Sequence, residues 1–162
     1  DRGEIKGDYK LSKAQIWSYT KDIWDSLYGE KTIWSDRWFE KIVWSNLYKL
    51  APREGGNPED ALQQLQLNAC IDLLKAEIEY FRPTHIFFAT GRDYWFDKFQ
   101  CLFRDKKRKG TNISRGEHKN KEYVEMTAKY IYEDGTVANV VVACRPESRA
   151  KVNYVEEVVA TF

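Results

Sequence analysis

The feature that most constrains this fold is a long helical pattern that passes directly into a short apolar run. Apolar residues recur at helical spacing over residues 67–81, and Arg82-Pro83 then ends the pattern because proline cannot continue a helix. The apolar run at residues 85–89 is followed by Gly91, which is typical of a buried strand and a turn. A helix that leads straight into such a strand favours an α/β domain with right-handed crossovers.

Capping residues mark the starts of two helices. Ser12 and Gln15 form a capping-box pattern, and apolar residues follow at helical spacing until Gly29. Asn57 can cap a second helix, since Pro58 suits the first helical position and the acids after it favour the positive end of the helix dipole. The second helix leads into the pattern that ends at the Arg-Pro pair.

Two further segments have the composition of strands. Residues 42–48 form a β-branched and aromatic run that is closed by a loop containing proline and glycine, which predicts a buried strand. Residues 123–132 and 137–144 alternate with period two around Asp134-Gly135, a favoured hairpin turn, and the second arm is the more apolar and so the more buried. Beyond this hairpin, Ser148 is a candidate cap for a closing helix.

These patterns predict one domain over residues 1–162, a three-layer α/β/α fold with a short, mainly parallel sheet and an added β-hairpin. A length of 162 residues suits a single domain, and the sequence contains no internal repeat or long linker.

Charge, cysteines and hydropathy limit the class of protein. The formal net charge is +1, so the whole-molecule field gives no reason to expect nucleic acid, membrane or acidic partners. Three widely spaced cysteines fit neither a disulfide framework nor paired zinc ligands, which indicates a reducing compartment and a cytoplasmic location. No apolar run approaches the roughly 20 residues that span a bilayer, so no membrane segment is expected.

Three landmarks at predicted strand ends resemble the uracil-DNA glycosylase superfamily. The first is Trp-Ser-Asn-Leu at residues 44–47, which leads through a Pro/Gly loop to Asn-Pro-Glu at residues 57–59. The second is Cys70 with the Arg-Pro, apolar strand and glycine of residues 82–91. The third, residues 140–148, is similar to the strand that carries the family's His-Pro-Ser motif. The resemblance implies the glycosylase fold and a partner in DNA, single-stranded or with a flipped base.

The resemblance also implies site residues. Asn46 stands where the family reads the base, and an amide with one acceptor and two donors can satisfy uracil O4 and N3-H together. Gly91 belongs to the same base-binding set, and ligands of open α/β sheets bind at the carboxyl ends of strands. The alternative is that Asn46 only ends a strand and bonds the following turn.

Arg145 stands where the family has its catalytic His, so it is the candidate catalytic residue that stabilises the departing uracil anion. It could equally hold a DNA phosphate, face water or pair with Glu147. Basic and hydroxyl side chains around the strand ends and in the loop after residue 103 are candidate contacts to nucleic acid, although a charged loop is more often simply solvated. These candidates are Arg92, Lys106, Lys107, Arg108, Lys109, Ser148 and Arg149.

The chain departs from the family's pattern at two points. Nothing before Asn46 supplies the first strand and its water-orienting residue; either residues upstream of Asp1 supply them, or residues 33–39 replace the strand, or the chain is not a member. Leu50 stands where some members have a cluster-binding thiolate, so we expect no iron–sulfur cluster, no other cofactor and no metal.

Three functions remain open from the sequence. The first is a glycosylase-like protein that binds a flipped base and excises it by N-glycosidic hydrolysis. The second is a catalytically inactive relative that acts as a nucleic-acid or protein binding module. The third is an α/β domain that binds a small anion through Arg145.

Overall fold

Four strands and three α-helices make up the fold of the computed structural model, which describes residues 15–29, 31, 33, 38–92, 95–103, 113–114, 122–147 and 149–162. Two 3-10 helices accompany them, Trp38–Lys41 and Phe96–Phe103. The α-helices are α1 (Gln15–Tyr28), α2 (Asp60–Phe81) and α3 (Lys151–Val159), and the strands are β1 (His85–Phe88), β2 (Ile113–Ser114), β3 (Val124–Ile131) and β4 (Val137–Ala143).

The sheet is mixed and has the strand order β1-β4-β3-β2. Strand β1 pairs with β4 in parallel, with His85 opposite Asn139, whereas the β3–β4 and β2–β3 pairs are antiparallel. The hairpin predicted around Asp134-Gly135 is confirmed, and Gly135 has the positive φ of 84° that its turn requires. The second arm, β4, is the more buried of the two, as its composition predicts.

Helices cover both faces of this sheet, so the predicted three-layer α/β/α fold is confirmed. On one face, α2 and the 3-10 helix Phe96–Phe103 pack against β1, β3 and β4 in a core rich in aromatic rings. On the other face, α1 and α3 pack against β4 and the start of β3. Buried side chains therefore alternate between two cores along β4, where Val140 and Val142 enter the first core and Val141 enters the second.

The strand predicted at residues 42–48 is wrong. These residues form no ladder, and Val43 and Trp44 are exposed. The chain after them lies along α2, where the buried Gln66 side chain accepts hydrogen bonds from the Lys49 and Leu50 amides at 3.0 and 2.8 Å. Strand β1 consequently forms the edge of the described sheet on its side away from β4, and the sheet is mixed rather than mainly parallel.

Several helix boundaries differ from the predicted ones. Helix α2 begins at Asp60 after Glu59, so Asn57 lies outside the helix that it was expected to cap. Helix α3 begins at Lys151 after Ala150, which contradicts a helix capped at residue 148. The end of α2 follows the prediction, because the residue after Phe81 turns left-handed, with a φ of 46°, before the proline.

Within the described part of the chain, none of the helices combines the length and the apolar character needed to cross a membrane.

Candidate functional site at the carboxyl ends of the parallel strands

The carboxyl ends of β1 and β4 meet at Gly91. Its N–H donates to the carbonyl of Ala143 at 2.9 Å and so continues the parallel pairing one step beyond β1. Gly91 has a φ of 73°, a conformation that strongly favours glycine, and a Cβ there would lie 3.8 Å from a carboxylate oxygen of Glu125. The chain therefore turns sharply where ligands of α/β sheets bind.

Three arginines surround these strand ends. Arg92 follows Gly91, and its backbone N–H donates to Glu125 at the start of β3. Arg145 follows β4 after Cys144, and the positive charge of Arg149 acts to lower the pKa of the Cys144 thiol. The predicted set of Gly91, Arg92, Arg145 and Arg149 thus lies in one region of the fold.

Three described carboxylates of this region each have a partner in the protein. Glu147 pairs with Arg145 at 3.0 Å, and Glu125 accepts the amide of Arg92. Glu157, on α3, accepts the amides of residues 122, 123 and 124 at 3.0, 2.8 and 2.6 Å. A general base or water-orienting residue needs a lone pair directed at the substrate, and in this structure each of these three carboxylates is bonded to the protein.

The nucleophilic groups nearby are held neutral. Burial raises the pKa of the Cys144 thiol above its usual value; Arg149 opposes this effect and Glu125 adds to it. Burial also raises the pKa of the Tyr154 phenol, which donates to the carbonyl of Cys144 at 2.7 Å. A neutral thiol is a poor nucleophile, so Cys144 has the character of a structural residue.

Asn46 lies outside this group. It is exposed in the segment that forms no strand, and the preceding residue, Ser45, donates to Glu77 of α2 at 2.6 Å. Among the described residues, no hydrogen bond or ion pair joins Asn46 to Gly91 or Arg145. The prediction that Asn46 ends a buried strand is therefore wrong, because residues 42–48 form no strand.

Arg145 adopts one of the arrangements predicted for it. Its guanidinium pairs with Glu147, and both side chains are about half exposed, at 53% and 52%. An ion pair this exposed contributes little to stability, so the guanidinium can exchange its carboxylate for another anion at small cost.

Five candidate contacts to nucleic acid lie outside the described residues. They are Lys106, Lys107, Arg108, Lys109 and Ser148.

The described cysteines are free thiols and the described histidine is hydrogen-bonded. Cys70 is buried, Cys144 is half-buried and Cys101 is exposed. His85 accepts or donates at Nδ1 to the hydroxyls of Thr84 and Tyr28, so it is a bonded residue of β1. In the parts of the chain that the structure describes, no group of three or more His, Cys, Asp or Glu side chains could hold a metal ion.

One polar cluster was not predicted from the sequence. Lys49 donates to the hydroxyl of Ser45 at 2.5 Å and to both carboxylate oxygens of Glu77 at 3.1 Å, and Ser45 donates to the same carboxylate. The cluster joins residues 45–49 to α2, and no spacing in the sequence marks it.

Comparisons with known proteins gave no relative. No protein-family model, no curated protein and no solved structure matches the chain.

Proposed function

We propose that this chain is a non-catalytic module that binds single-stranded nucleic acid at the carboxyl ends of β1 and β4. The observation that carries the proposal is that Arg92 and Arg145 lie a few residues beyond the ends of β1 and β4, which the hydrogen bond from Gly91 to Ala143 holds together, and that Arg149 follows in the same segment as Arg145. Guanidinium groups bind phosphate oxygens in a bidentate manner, and this end of an α/β sheet is where ligands bind. The resemblance of residues 82–91 and 140–148 to the uracil-DNA glycosylase superfamily supports the same end of the sheet.

A binding role is favoured over base excision because the described residues at these strand ends include no carboxylate without a protein partner. Among the described residues, no hydrogen bond joins Asn46 to Gly91, and the carboxylates Glu125, Glu147 and Glu157 are bonded to the protein. Without a base reader and a group that orients water, phosphate contacts alone cannot direct hydrolysis at a base. The free thiols fit the reducing, cytoplasmic compartment that the proposal includes.

Binding of a fluorescein-labelled oligothymidylate, followed by anisotropy over a range of salt concentrations, tests the proposal. Each phosphate contact to a single strand contributes about 0.7 to the slope of log K against log salt. We expect Arg145→Ala with Arg149→Ala to weaken binding by roughly tenfold or more and to reduce the slope by about 1.4. A smaller slope indicates that phosphate contacts were lost, whereas a loss of folded protein would leave the slope unchanged.

A second variant should strengthen binding rather than weaken it. Glu147→Gln removes the carboxylate that pairs with Arg145, so the guanidinium becomes available and binding should tighten. Arg53→Ala, in the exposed loop before α2, is the matched control and should leave binding unchanged. Equal losses for Arg53→Ala and the double variant would show that binding is nonspecific and would refute the site.

The same protein and its variants also serve to test for base excision. Incubation with a uracil-containing strand should release no uracil, and Asn46→Ala should change neither release nor binding. Release of uracil that is lost in Asn46→Ala would replace the binding module with the glycosylase hypothesis.

A further inference from the structure

Helix α2 carries a second apolar stripe on the side turned away from the core. Leu65, Leu73 and Tyr80 are 81%, 46% and 82% exposed, and Ala69 and Ala76 lie between them and are exposed as well. The five positions are three or four residues apart, so they share one face of the helix. Soluble monomers rarely leave a contiguous apolar stripe of this length in water.

This stripe is distinct from the face of α2 that forms the core, which consists of Gln63, Gln66, Cys70, Leu74 and Ile78. Leu50 is a further exposed apolar residue near α2, since its N–H and C=O bond to the side chain of Gln66 while its own side chain is exposed. Helix α2 is therefore apolar on two faces, of which the sheet covers one.

We propose that the stripe is a homodimer interface in which α2 packs antiparallel against α2 of a second copy of this chain. The order large, small, large, small, large is nearly symmetric about its middle. A two-fold axis there places Leu65 opposite Tyr80 and Ala69 opposite Ala76, with Leu73 of both copies beside the axis. An interface between identical copies requires this self-complementarity, whereas an unrelated partner does not.

The charged residues beside the stripe match the same axis. Asp72 and Lys75 are exposed along one edge of the stripe, three residues apart. In an antiparallel pair the same edges of the two helices face each other, which brings Lys75 of one copy beside Asp72 of the other, and the reverse. A parallel pair would instead bring opposite edges of the two helices together, so Asp72 and Lys75 would not face their counterparts.

The length of α2 limits the affinity expected for the dimer. Helix α2 has 22 residues and is about 33 Å long, so the contact is a narrow strip rather than a broad surface. Standard stable interfaces bury about 800 Å² per partner, and a strip below that size gives a dimer of moderate affinity. The dimer should therefore be sought at protein concentrations on the order of 100 µM.

Sedimentation equilibrium of the full chain, from low to high micromolar concentration, is the test. We expect a reversible monomer–dimer equilibrium, and Leu73→Glu should raise the dissociation constant by at least about tenfold because it opposes two carboxylates near the axis. Val152→Glu, at an exposed apolar position of α3 that is 67% accessible, is the matched control and should leave the equilibrium unchanged.

Exchanging the charges of Asp72 and Lys75 tests the antiparallel geometry without changing any residue of the core. Asp72→Lys alone and Lys75→Asp alone should each weaken the dimer, and the double variant should restore it. A chain that stays monomeric at the highest concentration would overturn the proposal. So would a dimer that Leu73→Glu leaves intact, or single charge variants without effect.

Discussion

Asp134 is an exposed carboxylate in the hairpin turn that accepts hydrogen bonds from both Thr136 and Arg82. Its Oδ1 accepts the hydroxyl and the backbone N–H of Thr136 at 2.6 and 3.0 Å, and its Oδ2 accepts the guanidinium of Arg82 at 2.6 Å. The Thr136 hydroxyl, the Thr136 amide and Arg82, in that order, lower the pKa of Asp134 to about 2. Arg82 also stacks over the Tyr132 ring, 4.4 Å from its centroid, so this turn is joined to the end of α2.

The pKa of Asp134 predicts a pH dependence of stability. The ordinary value is 3.8, so the folded state favours the ionised carboxylate, and this contribution is present above about pH 4 and lost as the pH falls through about 2. Asp134→Asn should therefore unfold at a lower temperature than the parent near neutral pH, and the difference should shrink as the pH falls from about 4 through about 2. Glu133→Gln, at the exposed neighbouring position, is the control. A constant difference across this range would contradict the assigned hydrogen bonds.

At the scale of elements, the segment after residue 44 is held by side chains rather than by a ladder. Gln66 accepts the amides of Lys49 and Leu50 and donates to the carbonyl of Leu50 at 3.0 Å, much as a neighbouring strand would. Its composition predicts a strand, but β-propensity reflects fit to a neighbouring strand, and the described sheet offers none there. The amide of one glutamine replaces that partner.

Removing this amide should release the segment. Gln66→Leu preserves approximate volume but leaves two N–H groups and one C=O without their partner, each of which costs about 1–3 kcal/mol where water cannot replace it. We expect a lower free energy of unfolding in urea and faster hydrogen exchange at residues 49 and 50. Gln64→Leu, on the exposed side of α2, should change neither. Unchanged exchange in Gln66→Leu would show that the segment is held by other contacts.

The elements predicted correctly from the sequence are those whose signals are local. The hairpin has its turn pair, β1 has its apolar run after proline, and α2 has its helical spacing. The starts of α2 and α3 differ from the predicted ones, because these helices begin at Asp60 and Lys151 without a side-chain cap. Phe81 fits the apolar pattern but is exposed, since a helical pattern does not show how far the sheet extends beneath it.

At the scale of the whole molecule, the three-layer fold could be predicted from the sequence, and the site only in part. The rule that ligands bind at the carboxyl ends of strands led to Gly91 and Arg145, which follow β1 and β4, the two parallel strands of the sheet. Asn46 follows no strand, because the strand predicted at residues 42–48 does not form. The hydrogen bonds that occupy the carboxylates near the site, such as those from the amides of residues 122–124 to Glu157, join segments more than 30 residues apart in the chain. Such contacts leave no local signal in the sequence.

Hydrogen–deuterium exchange of the full chain, with and without a saturating oligothymidylate, tests the central claim most directly. Binding at the carboxyl ends of the parallel strands predicts slower exchange at residues 89–92 and 144–147. The outer face of α2 and the loop at residues 52–56 should be unaffected. Protection confined to those two regions, or no protection at either strand end, would contradict the account.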